Sequence, residues 1–247
     1  VIVSAFSGVT DQLIKIGTLA SQKNELYKKE FDNLEERHLK TVKILISDKN
    51  QKRSLVGIKA QLNDLKNALR GVFLVRELSP RILDYIMSFG ERLSAHILTT
   101  VLRDSKIKCE MLDSRTVITT NNNFGSAAVI FEKTNKNIVH YFKTHTAIQI
   151  VTGFIAATEN KEATTLGRGG SDYSASIVGA ALRVKYIEIW TDVDGVMTAD
   201  PRKVKSAVRI NEMSYEEAIE MSYFGAKVIH PPTMQPALQN DIPIHIK

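Results

Sequence analysis

Residues 165–175, TLGRGGSDYSA, set Gly167, Gly169 and Gly170 around Arg168. Glycines let backbone amides come close to a ligand. A helix starting just after them offers free N–H groups and the positive end of its dipole, which suits an anion. Arg168 adds a planar fork for a carboxylate or a phosphate. Ser171 can cap the helix or bond a ligand. Asp172 cannot attract an anion, so its natural task is to organise a cation, a lysine or Mg2+, beside phosphates. The plainer alternative is a hairpin-to-helix turn with a serine cap and a solvent-facing arginine.

Three other clusters repeat the theme. WTDVDGVMTADPR, residues 190–202, follows a strand-like run and so lies at a carboxyl strand end, where open α/β sheets bind ligands. Thr191 and Asp192 suit polar contacts there and Arg202 a phosphate; an Asp-Gly turn is the bland alternative. SAFSGVT, residues 4–10, also follows a strand and offers the hydroxyls of Ser4, Ser7 and Thr10. Helix capping by Thr10 or Asp11 would explain it equally. SFGERLSA, residues 88–95, puts Glu91 just after Gly90 inside an apolar helix. A mid-helix glycine costs about 1 kcal/mol against alanine, so close approach of another backbone is its natural reason. Glu91 taken alone reads as a surface carboxylate.

Familiar alternatives fail. The chain has no G-x-x-x-x-G-K-[ST], no G-x-G-x-x-G and no G-x-S-x-G. Its six histidines and single cysteine, Cys109, show no zinc spacing and allow no internal disulfide, which fits a reducing cytoplasm. The net charge of +6 suits acidic ligands. Yet the basic residues are mixed with acidic ones, as in YKKEFDNLEERHLK, which argues against a nucleic-acid surface. No apolar run approaches the ~20 residues of a membrane helix.

The elements that must position these clusters alternate. VIVSA reads as a buried strand, followed by a helix to about residue 20. Residues 24–46 and 53–76 read as an amphipathic helical hairpin, the second carrying Leu55, Ile58, Leu62, Leu65, Leu69 and Val72 in steps of three and four. Ser79 and Pro80 mark the start of a long helix through SFGERLSA. Strands are expected at IKCEMLD, AIQIVTGF, YIEIWTD and IPIHIK, a hairpin turning at ENKE, a loop leading into a helix across NNNFGSAAVIFEKTNKNIVHYFK, and helices over the run after Asp172, SYEEAIEMSYFGAKVI and PPTMQPALQN. Buried strands separated by helices predict α/β with a mainly parallel sheet covered on both faces. The helical stretch 20–80 is an excursion from that alternation.

Taken together, VIVSAFSGVTD, FGERLSA, TGFIAATENKEATTLGRGGSDYSA, EIWTDVDGVMTADPR and SYFGAKVIHP resemble the aspartokinases of the amino-acid kinase family, in the family's order and along residues 1–247. The resemblance is weakest across 20–80. It implies a three-layer αβα sandwich around a mainly parallel sheet, in one catalytic domain. It implies transfer of the ATP γ-phosphoryl group to the β-carboxylate of L-aspartate, the first step toward lysine, threonine and methionine. ATP and Mg2+ would be the cofactors, L-aspartate the partner, and the intact protein a cytoplasmic homo-oligomer. By motif match Arg168, Gly169, Gly170 and Ser171 would line the aspartate site with Thr10 and Glu91. Arg168 would take the α-carboxylate and Glu91 the amino group. Ser4, Thr191, Asp192, Met197, Arg202, Lys227 and Val228 would lie along ATP, and Asp172 would be the catalytic carboxylate. Aspartokinases also carry a preceding strand with Lys-Phe-Gly-Gly-Thr and C-terminal regulatory domains. Without that lysine, residues 1–247 alone are expected to be poorly soluble and without practical turnover. SYFGAKVIHP and the helical insert lean toward the branch fused to homoserine dehydrogenase.

Overall fold

The computed structural model describes residues 1–191, 195–199, 203–223 and 230–247. They divide into two compact units, Val1–Gly167 and Arg168–Lys247.

The first unit begins with β1 (Ile2–Val3) and four helices: α1 (Val9–Ser21), α2 (Leu26–Leu45), α3 (Asp48–Val75) and α4 (Pro80–Asp104). The step-of-three-and-four stripe of α3 is buried as expected. Ile58, Leu62, Leu65 and Leu69 join Leu13 and Ile16 of α1, Leu34 of α2, and Ile86, Phe89 and Leu93 of α4 in one core. Each such side chain contributes roughly 1.5–3 kcal/mol by leaving water, so the excursion at 20–80 is a packed helical body, not a loose insert. Its hairpin turn is tied to the end of α4. The Asp104 carboxylate accepts from the Ser47 amide at 2.7 Å, the Ser47 hydroxyl at 2.6 Å and the Asn50 amide nitrogen at 2.6 Å. Helix α4 starts where Ser79 and Pro80 predict, with the Ser79 hydroxyl accepting from the Ile82 amide. Helix α1 differs from expectation. Its N-cap is Gly8 in the left-handed region, and Thr10 and Asp11 sit inside the first turn without capping it.

Five further strands and a helix complete this unit: β2 (Cys109–Leu112), β3 (Thr119–Thr120), α5 (Phe131–Thr144), β4 (Ile148–Thr152), β5 (Ile155–Thr158) and β6 (Ala163–Thr165). β4 pairs in parallel with β1 on one side and β2 on the other, and β3 pairs in parallel with β5. β5 and β6 form the antiparallel hairpin expected around ENKE. Among the described residues the strands thus form separate ladders. The break between β4 and β5 falls at Gly153–Phe154, where Phe154 has φ 62, a conformation that ends regular pairing. The Ser114 side chain spans the break, bonded to the Thr152 hydroxyl at 2.8 Å and donating to the Ile155 carbonyl at 2.6 Å. β1 is shorter and wetter than a buried strand: two half-buried residues, because it has a neighbour on one side alone among the described residues.

The second unit holds α6 (Gly170–Leu182), β7 (Ile187–Ile189), α7 (Tyr215–Tyr223), α8 (Pro231–Leu238) and β8 (Ile244–Ile246), with β7 and β8 parallel. Ile187, Ala237 and Ile242 are its buried apolar centre. The architecture is mixed α/β with mostly parallel pairing, as the alternation in the sequence predicts. No helix of the described residues is long and apolar enough to cross a membrane.

Candidate active site

In the first unit the site is built on the face of α4 that meets the loop after β1. Gly90 is buried there, and a Cβ added to it would stand 2.8 Å from the Ala5 Cβ. Close approach is therefore the reason for the glycine. It lets the Ala5 amide reach the next residue, donating to Glu91 Oε1 at 3.2 Å. The Ser94 hydroxyl, almost one turn on, donates to the Ser4 carbonyl at 2.7 Å. Glu91 is no surface carboxylate: it is 2% exposed, and its Oε2 is buried without a hydrogen-bond partner. Burial raises its pKa to about 7, against the smaller opposing effect of the Ala5 amide. A buried carboxylate oxygen without a donor is costly unless a ligand supplies one. Thr10 lies half-buried in the first turn of α1, and Ser4 is exposed.

The glycine turn follows β6 in the chain. Gly167 has φ 76 and Gly169 φ 69, so Arg168 stands between two left-handed residues. Gly169 is doubly constrained, since a Cβ there would meet Thr233 Cγ2 at 3.0 Å and His230 Cβ at 3.2 Å at the start of α8. Helix α6 begins directly after it. Its N-cap is Gly169, so Ser171 does not cap it and is the second helical residue, with Asp172 third. Of the two roles open to Ser171, capping is taken by Gly169, which leaves the Ser171 hydroxyl available to a ligand. Arg168 is exposed and has no ion pair among the described residues. Asp172 is half-buried, and burial raises its carboxyl above the usual range.

Thr191 lies just past the carboxyl end of β7, where strand-end binding was expected, and its amide donates to the Lys247 carbonyl at 3.0 Å. Met197 bridges Arg209 in an isolated antiparallel contact. Asp192, Arg202, Lys227 and Val228 lie outside the described residues. Among the described residues no group of three or more His, Cys, Asp or Glu could hold a metal ion.

Two features were not foreseen. Phe154 holds a positive φ and accepts the Leu166 amide at 2.9 Å, immediately before the glycine turn. Asp84, two turns before Glu91 on α4, is a second fully buried carboxylate. Its position on the apolar stripe of α4 was the available signal, because an acid there must have buried partners.

The whole chain, residues 1–247, matches the amino acid kinase family. The chain belongs to that family. Among curated proteins it is 36% identical, over its full length, to bifunctional aspartokinase/homoserine dehydrogenase 1 of Zea mays, and 34% identical to aspartokinase 1 of Arabidopsis thaliana. It spans 27% and 44% of those two relatives. Among solved structures, Escherichia coli aspartokinase III in complex with aspartate and ADP superposes with a TM-score of 0.91 at 31% identity, over 99% of this chain and 54% of that one. The amino-acid kinase fold and the relation to aspartokinases, including the bifunctional branch, are as the motifs imply.

Proposed function

We propose that the protein containing this chain is an aspartate kinase, transferring the γ-phosphoryl group of ATP to the β-carboxylate of L-aspartate and giving 4-phospho-L-aspartate. The observation that carries the reading is the unpartnered buried oxygen of Glu91. Its neighbour Ala5 satisfies only one of the two carboxylate oxygens. An α-ammonium group would satisfy the other and bring the compensating charge. The solved relative with aspartate and ADP supports the same substrates. Arg168 takes the α-carboxylate, and Thr10, Gly169, Gly170 and Ser171 are further aspartate-binding residues. Ser4, Thr191, Asp192, Met197, Arg202, Lys227 and Val228 lie along the nucleotide.

The acceptor carboxyl, with a pKa of ~3.9, is already ionised at neutral pH and needs no general base. The protein's task is to position two anions and to relieve their repulsion. The N-terminus of α6 and Arg168 contribute positive potential. Mg2+ would be held mostly by the phosphates, with Asp172 as the carboxylate that fits it: half-buried and without a cation of its own among the described residues. The ion would neutralise charge on the transferring group. We further propose that the intact protein is a homo-oligomer of a reducing compartment such as the cytoplasm.

A coupled assay with ATP, Mg2+ and L-aspartate on the full-length protein tests the reading, and a pH series sharpens it. Glu91 must be ionised to hold an ammonium group. Affinity for aspartate is therefore expected to be full above pH 7 and to weaken as pH falls through about 7, the carboxyl's raised value. Glu91→Gln should abolish that dependence while weakening binding. Turnover of N-acetylglutamate in place of aspartate, or a flat pH profile, would defeat the assignment, since an acylated amine has no use for Glu91.

A further inference from the structure

Asp84 takes no part in the chemistry proposed above, yet its carboxylate is fully buried and fully bonded. Its Oδ2 accepts from the Gly125 amide at 2.8 Å and from the Thr165 amide at 3.0 Å. Its Oδ1 accepts from the Thr165 hydroxyl at 2.8 Å. No lysine or arginine pairs with it among the described residues. A buried carboxylate without a cation is an expensive way to hold a fold together. What it achieves is geometric. Asp84 and Glu91 are seven residues apart on α4, so they share one face and differ by about 10 Å of helical rise. One end of that face grips the Ala5 amide and the other grips Thr165.

Thr165 is the last residue of β6, three positions before Arg168. Gly125 belongs to the loop that supports this strand end. The Ala127 amide donates to the Thr165 carbonyl at 2.9 Å, and Ser126 Oγ would stand 3.1 Å from a Cβ on Gly167. Three bonds to one side chain, two of them from backbone amides, leave the strand end little freedom to slide along α4.

We propose that Asp84 is a positioning residue, which fixes the end of β6, and with it the start of the glycine turn at Gly167, along α4 relative to Glu91 within the first unit. The inference rests on the aspartate-kinase reading for its consequence, though not for its geometry. Asparagine can keep it: the amide oxygen accepts both N–H groups, and the amide nitrogen donates to the Thr165 hydroxyl. Alanine cannot, and Thr165→Val removes only the hydroxyl bond.

The test compares Asp84→Ala, Asp84→Asn and Thr165→Val in the full-length protein, by steady-state kinetics and by hydrogen exchange of peptides covering 121–128 and 159–167. For Asp84→Ala the KM for aspartate should rise about tenfold or more, as misplacements of ~1 Å can cost up to a hundredfold, while the KM for ATP stays put. Exchange should accelerate in both peptides. Asp84→Asn should restore both readouts, and Thr165→Val should shift them in the same direction by less, which keeps the idea testable if the alanine variant does not fold. Equal loss for both substrates, a smaller folded fraction with an unchanged KM, or unaltered exchange in folded variants would overturn the proposal. A parent protein that exchanges as described but does not phosphorylate aspartate would instead overturn the functional reading.

Discussion

Replacing Asp172 with asparagine is expected to lower kcat by about two to three orders of magnitude, the usual scale when one preorganised charge is removed from a transition state. Binding of aspartate and ATP should change little. The carboxylate sits in the first turn of α6, where the helix dipole favours it, yet burial outweighs that and raises its pKa. No hydrogen bond or ion pair within the described residues repays the burial. A group so placed is poised for a cation that arrives with the substrate, so its contribution falls mainly on the step in which charge moves. Asparagine keeps the shape and removes the charge. The folded protein should be no less stable, because a disfavoured carboxylate has gone. Near-normal kcat in a folded Asp172→Asn protein would remove Asp172 from the mechanism.

Arg168→Lys should act on binding instead. The two left-handed glycines on either side leave Arg168 as the one side chain of the turn, exposed and without an ion pair among the described residues. Lysine keeps the charge and loses the fork. At about 1.5–3 kcal/mol for a hydrogen bond to a charged group, the KM for aspartate should rise by one to two orders of magnitude, with the KM for ATP nearly constant. A change selective for ATP would move Arg168 to the other ligand.

Much of the molecule was legible where the signal is local. The stripe of α3, the Ser79–Pro80 start of α4 and the ENKE hairpin each depend on residues a few positions apart. Gly90 was readable too, because a glycine inside a helix needs a reason, although the reason itself, Ala5, lies 85 positions away. What was misread depends on distant partners or on backbone geometry. Glu91 looks like a surface acid until the Ala5 loop folds over it. Thr10 and Ser171 are good capping residues, yet Gly8 and Gly169 take the cap positions by adopting left-handed backbone, which glycine enters at no steric cost. Phe154, a bulky residue with φ 62, carries no sequence mark of its conformation. The Asp84 network joins residues 41 and 81 positions apart, beyond any periodicity.

The pairing of β1 with β4 also has a kinetic side. Ile2 faces Val151 and Val3 faces Thr152, so nearly all of the first unit lies between the two strands. The contacts among α1, α2, α3 and α4 all lie within residues 9–104 and close shorter segments. Loop-closure entropy grows with the segment enclosed, and long-range pairings form late. The helical body is therefore expected to collapse first and β1 to dock last. In pulse-labelled refolding the Val151 and Gly153 amides, bonded to the carbonyls of Val1 and Val3, should gain protection after those of α3; simultaneous protection would contradict this order. Because β1 carries Ser4 and Ala5 into place, the corner at Glu91, proposed above to accept the ammonium group, would be the final part to mature. A helix-rich refolding intermediate would then exist that cannot yet recognise an amino acid.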